Sequence, residues 1–74
     1  MKLTKYRVHT GASRYDNQHM ERHFKVFSHL QKWGNNYESI IDEMDGSLRF
    51  DSVDLKPNQA NYLRQLGAEV VPRD

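Results

Sequence analysis

Residues Ser13 to Trp33, SRYDNQHMERHFKVFSHLQKW, form the longest continuous helical pattern in the chain. Any fold must give that pattern a surface to lie on. At about 100° per residue, Met20, Phe24, Phe27, Leu30, Val26 and Trp33 share one broad arc. Gln18, Glu21, Arg22, Lys25, Ser28, His29 and Lys32 fill the opposite arc. An apolar arc about half a cylinder wide suits a helix laid on a sheet. Ser13 followed by Asp16 predicts a capping box at the start, with Asp16 at the positive end of the helix dipole. Gly34-Asn35-Asn36 predicts the exit, because Gly and Asn tolerate the left-handed backbone that ends many helices.

His19 and His23 fall inside the apolar arc, four residues apart and so adjacent on the helix. Three readings are open for them. They are histidines at the core edge, part of a partner-binding surface, or the beginning of a metal site. The metal reading lacks support: Glu21 is one place late for H-E-x-x-H, and no cysteine is present to complete a ligand set. No metal and no cofactor is expected.

Leu3–Thr10 alternates with a period of two and predicts a strand. Thr4, Tyr6 and Val8 share one face; Lys5, Arg7 and His9 share the other. Thr10-Gly11-Ala12 is expected to turn into the helix. A turn there could hold a phosphate on backbone amides, but it matches neither the Walker A nor the dinucleotide pattern. Residues 36–45 admit a short helix or the first arm of a hairpin closed by Asp45-Gly46. A helix there would end in carboxylates, the wrong sign for its C-terminus, so the hairpin is preferred. The register then pairs Met44 with Ser47, Asp42 with Arg49 and Ile41 with Phe50, and Glu38, Asp42 and Glu43 mark an edge strand. Ser47–Val53 reads as a strand. Pro57 opens a second helix with Leu63 and Leu66, together with Gln59 and Tyr62, on its stripe, Gly67 ends it, and Glu69-Val70-Val71 is a last strand closed by Pro72.

The order is β-α-β-β-α-β. The expected fold is α+β and ferredoxin-like, with two helices on one face of a four-stranded antiparallel sheet. The alternative is an α+β fold with residues 36–45 helical and a three-stranded sheet. Residues 1–74 make a single small domain, which buries only about 60% of its unfolded surface. No run of apolar residues exceeds two, so no membrane span is expected. The start, Met1-Lys2-Leu3-Thr4-Lys5, has no secretory character, and the chain has no cysteine. A cytoplasmic location is the expectation.

Charge is unevenly distributed. Residues 1–33 carry a net +5 and residues 34–74 a net −4. The two halves either steer a charged partner or neutralise each other across the fold. No nucleophile, base and metal ligand agree, so no enzymatic activity and no catalytic residue is expected. A protein-binding role asks least of the sequence. Trp33 and Tyr37 are its candidate anchors, with His19 and His23 beside them, since Trp and Tyr are enriched at binding hot spots. A second copy of the chain is a further candidate partner. The competing role is nucleic-acid or phosphate binding through Lys5, Arg7, His9, Arg14 and Arg49. In size and lack of a site motif, the chain resembles the small phage-encoded proteins that block host machinery, anti-CRISPR proteins among them. The resemblance implies a non-enzymatic inhibitor or adaptor. It covers general character, and no residue is carried over from it.

Overall fold

The computed structural model describes residues 4–15 and 19–73. The elements run β1 (Thr4–Ser13), α1 (Met20–Trp33), β2 (Glu38–Ile41), β3 (Ser47–Leu55), α2 (Pro57–Gln65) and β4 (Glu69–Pro72). The four strands form one antiparallel sheet in the order β2-β3-β1-β4. β1 and β2, joined through α1, are separated by β3, which is the split β-α-β connection of a ferredoxin-like fold. Residues 38–41 are strand, as the wrong-signed helix end argued. No helix among the described residues is long and apolar enough to cross a membrane.

The core lies between the sheet and the helices. Tyr6 and Val8 of β1, Phe50, Val53 and Leu55 of β3, and Val70 of β4 meet Val26 and Leu30 of α1 and Ala60 and Leu63 of α2. Lys5, Arg7 and His9 take the opposite face of β1, following the period of two.

Four sequence expectations are corrected. β1 does not turn at Thr10-Gly11-Ala12. Gly11 adopts φ 80°, the register shifts between His9 and Ser13, and the strand continues with Thr10 and Ala12 buried. A glycine bulge lets a strand bend without ending. The phosphate turn is therefore not formed.

Ser13, in consequence, is the last residue of β1 and caps no helix; its hydroxyl accepts from the Tyr15 amide at 3.2 Å. Asp16 lies outside the described residues. The helix begins at Met20, after His19 in a left-handed conformation (φ 63°) with no side-chain cap.

The buried line of α1 is His23, Val26 and Leu30, and Phe24 is 58% exposed. Two contacts hold His23 inward. Its ring stacks on Phe50 with centroids 4.7 Å apart, and its Nδ1 lies 2.9 Å from Thr10 Oγ1. Phe24, one residue further round the helix, is thereby rotated away from the sheet.

The β2–β3 hairpin is longer than a two-residue turn. Ile41 pairs with Leu48 and Ile40 with Arg49, and the Asp42 amide donates to the Ser47 carbonyl at 2.9 Å. Glu43–Gly46 is a four-residue loop whose last position, Gly46, has φ 73°. A type I′ turn needs positive φ at both central residues, and Asp45 does not supply it. The shift is two residues, so each side chain keeps its face.

Candidate functional site

The last two turns of α1 and the first two of α2 lie side by side and frame a groove of about 410 Å³. His29, Lys32 and Trp33 line it from α1; Asn58, Gln59 and Tyr62 line it from α2. His29 and Trp33 are four residues apart and share one flank of the helix. Their rings sit 5.3 Å apart, and Tyr62 stands edge-on to both, 4.8 Å from His29 and 5.9 Å from Trp33. Edge-to-face pairs of this kind are worth about 0.5–1.5 kcal/mol beyond their buried area.

Gln59 fixes the groove's end. Its Oε1 accepts from Asn35 Nδ2 and from the Lys56 amide, both at 3.0 Å. That oxygen ties the exit of α1 to the entry of α2. The rings are nevertheless incompletely covered: Trp33 and His29 are half-buried, and Tyr62 is 41% exposed.

The structure separates the residues named as protein-binding candidates. Trp33 lies in the groove. Tyr37 packs edge-on against Phe27 and Phe50 and seals the core instead. His19 is exposed at the start of α1, where it lines a smaller depression with Glu21, Arg22, Lys25 and Leu66. His23 is interior, and burial pushes its imidazole pKa down. It presents no surface to a partner. The helical projection puts His29 on the polar arc, yet its four-residue spacing from Trp33 brings the two rings together.

The candidate anion-binding residues occupy the open face of the sheet and its margin, and carboxylates accompany most of them. Lys5 Nζ lies 3.0 Å from Asp54. Arg7 and Arg73 both approach Asp51, at 3.6 and 3.5 Å. Arg49 reaches Asp42 diagonally at 4.0 Å. His9 pairs across the strands with Arg49 on one side and Glu69 on the other. Arg14 lies over the Tyr15 ring and donates to its hydroxyl at 2.7 Å. Burial alone would raise the Asp51 pKa. The Ser52 amide hydrogen bond and the Arg73 and Arg7 charges outweigh it, and the carboxyl is held below its ordinary range. Among the described residues, no three His, Asp or Glu side chains converge to hold a metal ion.

Comparison with known proteins finds no matching family model, curated protein or solved structure.

Proposed function

We propose that this protein is a non-enzymatic protein-binding module that docks a partner through the groove between α1 and α2. The observation that carries this reading is the ring cluster of His29, Trp33 and Tyr62. It is held by both helices and by Gln59, yet is left partly open. Ordered aromatic surface that is only half covered gains apolar burial on docking at little entropic loss, which is how Trp and Tyr act as hot spots. The sheet's open face is a poorer candidate for a polyanion, since Lys5, Arg7 and Arg49 already have carboxylate partners. Its size and lack of a site motif fit the resemblance to small phage-encoded inhibitors, with action in the cytoplasm.

The test is affinity capture from a cell lysate with and without nuclease, using the wild type, Trp33→Ala and Tyr62→Ser, with circular dichroism to establish that each variant folds. A protein retained after nuclease by the wild type and lost by both folded variants supports the reading. Capture that disappears with nuclease, or that ignores both substitutions, overturns it.

A further inference from the structure

The two helices carry a charge that the sheet does not share. α1 and α2, with the Lys56 cap, bear Arg22, Lys25, Lys32, Lys56 and Arg64 against one carboxylate, Glu21. Glu21 sits at the start of α1, eight residues or about 12 Å along the axis from His29, and is engaged with Lys25 at 3.8 Å. The other described acids, Glu38, Asp42, Glu43, Asp45, Asp51, Asp54 and Glu69, belong to the strands and the hairpin. Among the described residues no carboxylate lines the groove, while Lys32 does, and Lys56 stands two residues before Asn58, at the start of α2.

Resting on the reading of the groove as a protein-docking surface, we infer that its occupant is an acidic peptide segment presenting an apolar side chain. Lys32 and Lys56 meet the carboxylates, the Asn58 and Gln59 amides meet backbone or side-chain polar groups, and the apolar side chain enters against Trp33 and Tyr62. Charge complementarity of this kind sets partner choice and the rate of encounter. A nucleic acid fits the same charge but not the same rings. Trp33 and Tyr62 meet at 70° and His29 and Tyr62 at 79°, and the more nearly parallel His29 and Trp33 are only 5.3 Å apart, so no two of these rings can sandwich a base. Lys32 and Lys56 are also a short track for a phosphate chain.

The experiment is an NMR titration of the isotopically labelled full chain. The probes are a short capped peptide of glutamates flanking a phenylalanine, its lysine counterpart, and oligo-deoxythymidine. The expected result is that the acidic peptide moves the Trp33 indole N–H and the Asn58 and Gln59 side-chain amides. Its binding weakens about tenfold between low and high salt as the charges are screened. Lys32→Glu combined with Lys56→Glu, both exposed, should reduce it by about tenfold as well. Equal or stronger binding of the lysine peptide overturns the inference, as does oligo-deoxythymidine moving the same groove signals, or no peptide moving them. If Trp33-dependent capture of a protein survives such a result, only the acidic class is lost; if it fails too, the docking surface itself is wrong.

Discussion

Burial favours the neutral form of the His23 imidazole in the folded chain, with Thr10 as its polar partner and Phe50 beneath it. Its pKa in the fold lies below the ordinary 6.5 that the unfolded chain restores. Between those two values the unfolded state binds a proton that the folded state refuses, so stability rises with pH there. The contribution is fully present above the unfolded value and is lost as pH falls through the folded one. Urea unfolding at about pH 5.5 and about pH 7.5 should give a lower midpoint at the acid value. In His23→Gln, which removes the titration but keeps a polar group near Thr10, that difference should shrink. An unchanged pH dependence in the variant would assign it to other groups. His23→Phe should do worse at neutral pH, because the buried Thr10 hydroxyl then lacks its partner, a loss of about 1–3 kcal/mol. The sequence allowed a core-edge histidine at this position but did not name its partner. Thr10 continues the inward face of Tyr6 and Val8, and only the packing of α1 on β1 brings His23 to it.

At the level of the element, two irregularities in β3 and its hairpin set where side chains go. Phe50, Val53 and Leu55 all point to the core, and the half-buried Leu48 alternates in step with Phe50, so the pairs 48/50 and 53/55 are out of phase by one residue. The chain resolves this with a bulge: Tyr6 pairs with Val53 but Val8 with Phe50, and Ser52 takes φ 52°. The phase break is legible in the order Leu48, Phe50, Val53, Leu55, whereas the strand was read only as far as Val53. Positive φ in a residue with a Cβ costs about 1–2 kcal/mol, and glycine's extra entropy loss is about 0.5–1 kcal/mol. Ser52→Gly should therefore stabilise the fold by about 0.5–1 kcal/mol, read from denaturant midpoints.

Gly46 is the opposite case. A Cβ there would sit 2.5 Å from the Tyr15 ring, and φ is 73°. Gly46→Ala should destabilise by about 1–2 kcal/mol from the backbone alone, with displacement of Tyr15 added. Adding Tyr15→Ala should recover the second part and not the first. The Asp45-Gly46 pair did mark the hairpin; the loop length was missed because only the glycine supplies positive φ. The start of α1 was missed for a related reason: His19 enters the helix without the side-chain cap that sequence signals announce.

Across the whole molecule, folding rearranges the charge that the sequence divides by halves. The positive first half meets the negative second half on the open face of the sheet, where β1 lies between β3 and β4 and Asp51 sits among Arg7, Arg49 and Arg73. The positive charge of the helices finds few such partners, because α2 contains no acid and α1 only Glu21. The counts along the chain could state the imbalance but not its cancellation, which needs the strand order and the register that sets Lys5 against Asp54 and brings Arg7 to Asp51. The groove was half visible: Trp33 was named from its residue type, while Tyr62 and His29 joined it only once the two helices were set side by side. If ion pairing silences the open face, removing its carboxylates should expose it. Asp51→Asn with Asp54→Asn should leave the fold in place, since the Lys5, Arg7 and Arg73 halves of these pairs are exposed, such pairs are worth about 0–1 kcal/mol each, and Asn keeps an oxygen for the neighbouring donors. The same double variant should elute from immobilised heparin at clearly higher salt than the wild type, because Lys5, Arg7 and Arg73 lose their partners and more counterions are released on binding. Reversing Lys5 and Arg7 to Glu in that background should bring the elution back down. Elution that does not move in the double variant would mean that the pairs do not mask the face, and the argument that sends recognition to the helices would lose its electrostatic half.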